Sequence, residues 1–279
     1  MKLNRSLLTQ FVARYPAQPA TAFLRAIEID VLAKAAIPDG LGLDLGCGDG
    51  ILTDILFKQM GRVPQLVGID PDPLETEAAT QYAFYQRIHT CFGDAIPEAD
   101  NSFDYVISNS VLEHIPVLEP VIAEAARLLK PGGQFFFTVP CPGFRENMRG
   151  SWLPWHSRNR YLESLDQRLA HLHYLSETDW RAMAKLHGLT VTAITGYLGR
   201  RSTRRWETLS RLTGGLLHSL SFGRMRPIEI QRRLNLRHFQ NHASLPNWLA
   251  SAISRFLAVG LAGEDRVDHP GCLLVTGTK

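Results

Sequence analysis

The chain is poor in features that would settle its class at a glance. It has four cysteines, Cys47, Cys91, Cys141 and Cys272. No two stand in a Cys-x-x-Cys spacing, which points to a reducing compartment and gives no zinc site. No run approaches the ~18 uncharged apolar residues of a membrane span. The N-terminus does not read as a signal peptide, since Arg5 and Arg14 bracket a short apolar stretch with no clear small-residue cleavage site. There is no internal repeat and no low-complexity linker. No Gly-Lys-Ser/Thr occurs, so a Walker-type phosphate loop is absent. Acids are scarce in one stretch. Between Gly199 and Gln240, Glu207 and Glu229 face ten arginines: Arg200, Arg201, Arg204, Arg205, Arg211, Arg224, Arg226, Arg232, Arg233 and Arg237. That segment carries +8 and leaves the remainder at −5 within an overall +3. An anionic partner would account for this asymmetry; so would solvated arginine faces on packed helices.

What is present is a glycine-rich turn, Leu41-Gly-Leu-Asp-Leu-Gly-Cys-Gly-Asp-Gly50, followed 20 residues later by Val67-Gly-Ile-Asp70. The apolar residues around Leu43 read as a buried strand. Gly46, Gly48 and Gly50 then let the backbone turn sharply against a ligand, and a helix starts at Ile51. Asp70, ending a second apolar run, stands at about the distance at which nucleotide-binding α/β folds set a carboxylate on a ribose. A dinucleotide fingerprint, Gly-x-Gly-x-x-Gly, fails: counting from Gly46 its last position is Ile51, and counting from Gly48 it is Thr53.

The pattern Asp44-x-Gly46-x-Gly48-x-Gly50 resembles motif I of class I S-adenosylmethionine-dependent methyltransferases, and most closely bacterial members of the methyltransferase-11 type. The resemblance runs from about Ala22 to Tyr197 and returns at the C-terminal tail. Gly93-Asp94-Ala95, Phe103-Asp-Tyr-Val-Ile-Ser-Asn109, Leu112-Glu-His-Ile115 and Leu129-Lys-Pro-Gly-Gly133 extend it in the family's order. It implies S-adenosylmethionine as cofactor and S-adenosylhomocysteine as product. Asp44 would lie near the methionine amino group, with Gly46, Cys47 and Gly48 facing the methionine part. Asp70, followed by Pro71, would hold both ribose hydroxyls. Asp94 and Ala95 would meet the adenine, and Asn109 and Ser110 the methionine end.

The expected fold is α/β: a Rossmann-like, seven-stranded, mostly parallel sheet with helices on both faces. Strands are expected near Leu41–Leu45, Gln65–Ile69, Ile88–Phe92, Tyr105–Ser108, Gln134–Val139, Thr190–Gly196 and Cys272–Thr276. The resemblance makes the last one antiparallel, inserted between strands five and six. A helix spans Ala20 to Ala36. Another begins near Pro120 and ends at Lys130-Pro-Gly-Gly133, and Ser176-Glu-Thr-Asp179 opens a third, stopped by Gly188. Residues 1–197 and 269–279 form the methyltransferase domain. Residues 140–175, rich in Trp152, Trp155, Tyr161, Tyr174, His156, His171 and His173, are read as a substrate loop, with a satellite core as the alternative. Residues 198–268 form a basic helical insert with apolar stripes from Trp206 to Leu220 and from Leu249 through Ile253, Phe256 and Leu257 to Leu261.

Methyl transfer from a sulfonium requires alignment, exclusion of water and, for a hydroxyl acceptor, removal of a proton. His114, beyond strand four, is the candidate general base, since an imidazole titrates near neutral pH; the alternative is that Glu113 and His114 cap and pack the next helix. Ubiquinone-pathway and small-RNA 3′-end methyltransferases hold a divalent metal with Glu-x-x-Glu-His. Ser110 replaces the first acid here, so no metal is expected. Three functions compete: O-methylation of a small molecule, sugar or lipid-linked intermediate; RNA methylation through the basic insert; and cofactor binding without catalysis. The first is favoured. Nucleic acid is not expected as a partner, since no Asn-Pro-Pro-Tyr-type motif follows strand four. The expected location is cytoplasmic, with peripheral contact of the basic insert on an anionic membrane.

Overall fold

Strand β1 (Leu41–Leu45) registers the rest of the sheet. The computed structural model describes residues 3–15, 18–152, 156–215, 245–259 and 267–279. β1 is buried from Gly42 to Leu45, which is why it reads as an apolar run rather than as an alternation. It pairs in parallel with β2 (Gln65–Asp70) and β4 (Phe103–Asn109), Leu43 lying opposite Val67 and Val106. β3 (Tyr85–Thr90) adds parallel to β2, and β5 (Leu129–Pro140) parallel to β4. β7 (Cys272–Thr278) runs antiparallel to β5 and separates it from β6 (Thr190–Tyr197), giving the order β3-β2-β1-β4-β5-β7-β6. This is the expected topology, with the last strand between the fifth and sixth.

The helices are α1 (Arg5–Arg14), α2 (Pro19–Leu32), α3 (Ile51–Gln59), α4 (Pro73–Ala79), α5 (Leu118–Leu128), α6 (Pro142–Glu146), α7 (Arg158–Leu169), α8 (Glu177–Leu186), α9 (Arg200–Ser210) and α10 (Asn247–Leu257). α8 opens with the expected capping box, Ser176 and Asp179 bonding each other's backbone, and Gly188 follows it at φ +73°. Two expectations are corrected. The third strand is Tyr85–Thr90, not Ile88–Phe92; as an edge strand it carries exposed Gln86 and Arg87, which hide it from an apolar search, while Phe92 is exposed. The Lys130–Gly133 segment does not end α5. The helix stops at Leu128, Leu129 is already extended, and Pro131 disfavours a helical Lys130, so these residues start β5.

The chain divides into two compact units: residues 31–142, 173–195 and 272–279, and residues 1–30, 143–172 and 196–271. The first holds most of the sheet and a core of Leu43, Val67, Val106, Phe135 and Phe137, with the Trp180 ring 6.4 Å from Phe137. In the second, α1 packs against α10, and the Phe144 and Trp206 rings lie 5.1 Å apart. The expected apolar stripe does begin at α9, where Trp206 is buried, and α9 runs into a π turn at Arg211–Gly215. On α10, Leu257 is buried but Phe256 is exposed. Leu216, Leu220, Ser244, Leu261 and the arginines from Arg224 to Arg237 lie outside the described residues. No helix among the described residues is long and apolar enough to cross a membrane.

Gly42 sits where a Cβ would run into the Tyr105 ring and approach Leu66 Cδ2 to 2.8 Å. Gly42→Ala should therefore destabilise the protein by about 1–3 kcal/mol through overpacking. Urea unfolding checks this; an unchanged free energy would mean that the Tyr105 ring has room to move.

Candidate functional site

The site is assembled where β1, β2 and β4 end. The chain continues from β1 to β2 and β3 on one side and to β4 and β5 on the other, so β1 and β4 flank the point at which the strand order reverses. Open α/β sheets bind ligands in the crevice beyond such a point. Asp44, one residue before the end of β1, is buried. Its Oδ2 accepts hydrogen bonds from the Thr53 hydroxyl of α3 and the Tyr85 hydroxyl of β3, each at 2.6 Å. Burial pushes its carboxyl up to about 6, opposed by those two bonds and reinforced by the negative charge of Asp70. Both bonds fall on Oδ2, and among the described residues no side chain bonds Oδ1.

The turn that follows is built for its backbone. Gly46 has φ +80°, and a Cβ there would collide with Val111. The N–H groups of Gly46 and Cys47 both bond Ile69 O, at 2.9 and 2.8 Å, fastening the turn to the end of β2. Gly50, at φ +78°, begins α3 without a capping side chain, and Asp49 Oδ1 accepts the Ile51 N–H instead, at 3.2 Å. Burial, with Asp44 and Asp70 nearby, raises the Cys47 thiol far above its ordinary range, so it is no thiolate nucleophile.

Asp70 ends β2 with both oxygens oriented. Oδ2 accepts from Gly48 N at 3.1 Å and Oδ1 from Asp72 N at 2.9 Å. Pro71 follows it, exposed, and Asp72 caps α4. Asp94 and Ala95 lie exposed in the loop beyond β3. Asn109 ends β4, where the Thr138 hydroxyl of β5 donates to its Oδ1 at 2.6 Å. Ser110 takes φ +52° as its N–H bonds Thr138 O and Oγ1, at 3.0 and 3.1 Å. The structure thus gathers Asp44, Gly46, Cys47, Gly48, Asp70, Asn109 and Ser110 at one edge of the sheet, with Asp94 and Ala95 on the loop leaving β3.

His114 lies on a short 3₁₀ turn, Leu112–His114. Its side chain is 39% exposed, with Nε2 4.0 Å from the buried Glu113 Oε1. His173, grouped by sequence with the substrate loop, has Nε2 2.8 Å from Ile115 O and fastens this turn. In the second unit, Trp152 and Tyr161 stack on Arg211, their ring centroids 4.9 and 4.4 Å from its guanidinium carbon. They pack a cation there, and Trp155 lies outside the described residues. Sequence reading missed Thr53, Tyr85 and Glu75. Glu75 is buried on α4, its Oε2 3.9 Å from where a Gly48 Cβ would stand. A polar residue on the first turn of the helix after the glycines was the available signal for Thr53; nothing in local spacing ties Tyr85 to Asp44.

A reversing α/β sheet with an antiparallel seventh strand, an acid before a glycine turn and a second acid ending β2 define the class I S-adenosylmethionine-dependent methyltransferases. A family model described as a methyltransferase domain matches residues 18–194, and the chain belongs to that family. A ubiquinone biosynthesis O-methyltransferase of Xanthomonas campestris pv. campestris is 32% identical over 130 residues, 44% of this chain and 53% of that protein. A protein of the same name from Hahella chejuensis is 34% identical over 111 residues, 38% and 45% of the two chains. The chain thus spans about half the length of these curated relatives. Among solved structures, Haemonchus contortus phosphoethanolamine N-methyltransferase 2 in complex with S-adenosyl-L-methionine aligns with a TM-score of 0.52 at 17% identity, covering 93% of this chain and 52% of that one. The [4+2]-cyclase SpnF aligns with a TM-score of 0.55 at 16% identity, covering 90% and 79%. These two show the fold alone.

The raised Asp44 carboxyl has a consequence for stability. Below the ordinary carboxylate range both folded and unfolded chains hold the proton and nothing is lost. As pH rises from the ordinary carboxylate range to about 6, the unfolded chain gives up a proton that the folded state keeps, so stability falls by on the order of 3 kcal/mol and levels off above about 6. Asp44→Asn keeps an acceptor for Thr53 and Tyr85 and removes this loss. Its stability relative to the native chain should therefore improve between pH 4.5 and 7.5 in urea unfolding. A difference independent of pH would show that the ionised carboxylate costs nothing there.

Proposed function

We propose that this protein transfers the methyl group of S-adenosylmethionine to an oxygen of a small or lipid-linked acceptor. The observation that carries the reading is the pair of oriented carboxylates about the glycine turn, Asp44 with Oδ1 bonded by no side chain among the described residues and Asp70 locked by the Gly48 and Asp72 N–H groups. Their chemistry fits the cofactor: a buried carboxylate suits the methionine ammonium, and a carboxylate with two oriented oxygens suits a ribose diol. Asp94 and Ala95 would meet the adenine, and Asn109, Ser110 and the turn Gly46–Gly48 the methionine end. When bound, the cofactor supplies an electrophilic methyl on a neutral leaving group. The chain's own work is then to position, to exclude water and to take a proton. His114, half exposed on the turn after β4 and near the Glu113 carboxylate, would accept that proton from an acceptor hydroxyl. Oxygen as the acceptor atom is supported by the curated relatives named as ubiquinone biosynthesis O-methyltransferases.

Calorimetry tests the cofactor assignment. Asp70→Asn should weaken S-adenosylmethionine binding by about 1.5–3 kcal/mol for each charged hydrogen bond lost; unchanged affinity would refute the assignment. Catalysis is tested separately, by mass-spectrometric detection of S-adenosylhomocysteine with phenolic and lipid-linked hydroxyl acceptors. His114→Ala should lower turnover by roughly 10²–10⁴ while cofactor affinity stays the same. Normal turnover in that variant would leave His114 a packing role.

A further inference from the structure

The basic stretch suggested by sequence to meet a membrane begins at α9, and there three of the helix's four arginines bond within the protein, while Arg201 is exposed. Arg200 Nε donates to Asn147 Oδ1 and Arg204 Nε to Asn147 O, both at 3.3 Å. Arg205 donates to Leu257 O at 3.4 Å and to Val259 O at 2.6 Å. These side chains clip the second unit together, so a surface contact must be sought elsewhere in it.

The outer face of α10 offers one. This helix buries Ala250, Ser254 and Leu257, and α1 packs against it. On the other side Trp248 is 73% exposed, Phe256 74% and, just past the helix, Val259 65%, with Ala252 and Arg255 exposed among them. At 3.6 residues per turn these five positions fall within an arc of about 100°. Single exposed apolar residues are ordinary on any surface, but a contiguous stripe of them marks a contact. Neither α1 nor α10 contains an aspartate or glutamate, and each carries one exposed arginine, Arg5 and Arg255.

We propose that the outer face of α10 seats on an anionic lipid surface, with Trp248 and Phe256 at the headgroup–acyl boundary and Arg255 on lipid phosphate. The charge decides the occupant: a cationic helix pair without acids complements anionic headgroups, and Trp and Phe on the apolar side of such a helix are the residues that enter that boundary. The contact is peripheral and reversible. It is independent of the chemistry proposed above, since none of its residues belongs to the cofactor site.

Co-sedimentation of the full chain with vesicles tests it. Binding should appear with phosphatidylglycerol–phosphatidylcholine vesicles, be weaker with phosphatidylcholine alone, and fall as salt is raised. The double variant Trp248→Ser/Phe256→Ser alters exposed side chains and should keep the native circular dichroism while binding roughly tenfold or more weakly. Arg255→Glu, a milder change, should reduce the preference for anionic vesicles. The proposal is overturned if the native chain binds no vesicle, if neutral and anionic vesicles bind alike, or if the folded variants bind as the native chain does. It is also overturned if gel filtration shows a dimer that the double variant dissociates, because the face would then join two copies of the chain.

Discussion

The end of the sheet where β1, β2 and β4 finish depends on a buried carboxylate that three elements must agree to hold. Asp44 belongs to β1, Thr53 to α3 and Tyr85 to β3, and the two hydroxyls meet the same oxygen. Tyr85 reaches Asp44 from β3, which is paired onto β2 with Tyr85 opposite Leu66, just before the register shifts between Leu66 and Val67. Thr53 can reach it only because the glycine turn reverses the chain within a few residues and starts α3 at Ile51. An ionised carboxylate without such donors would be driven out of the interior or neutralised. Two hydroxyls stabilise it, while burial and Asp70 keep its proton affinity raised. The geometry of the turn, the start of α3 and the placement of β3 are therefore linked through one oxygen atom.

Fold and chemistry separate cleanly here. The [4+2]-cyclase SpnF shares the architecture over most of this chain, so a reversing sheet with an antiparallel seventh strand does not by itself define a reaction. In the proposed reading, Asp44 near the end of β1 and Asp70 at the end of β2 bear on the cofactor. What happens to a second substrate depends on groups that the sheet does not dictate, and His114 stands on a short turn five residues beyond Asn109, the end of β4. That turn is held by its own hydrogen bonds and by His173 on the carbonyl of Ile115. A histidine carried on a fastened turn is a better-placed base than one on a loose loop, because alignment is most of what a methyl transfer asks of the protein.

How much of this was legible depended on whether the relevant partners were neighbours in sequence. Asp44, the glycines and Asp70 were legible because a strand, a tight turn and the next strand impose their spacing over a short stretch of chain. The capping box at Ser176–Asp179 was legible for the same reason, being closed within four residues. Tyr85 was not: its role is created by pairing between strands, and the exposed Gln86 and Arg87 that follow it interrupt the apolar run that would announce a β element. α1 was overlooked although Leu7, Leu8, Phe11 and Val12 have helical spacing, because its packing partner α10 lies near the other end of the chain. Phe256 fits the apolar period of α10 but faces water, because periodicity finds apolar positions without saying which of them is covered.

Charge was the feature that composition described least well. A segment of +8 invites a picture of a basic surface, yet the structure uses several of its cations as internal fasteners. Glu207 is buried, and its carboxylate accepts N–H bonds from Arg149 at 2.9 Å and Gly150 at 3.2 Å as well as the Arg211 guanidinium. Arg211 also donates to the Tyr161 hydroxyl at 3.0 Å and lies over the Tyr161 and Trp152 rings. Aromatic faces and a bonded carboxylate make a cation tolerable where water is scarce. A planar guanidinium can meet a carboxylate, a hydroxyl and two rings at once, which a lysine ammonium cannot. Among the described residues, part of the positive charge of this region is thus spent on architecture.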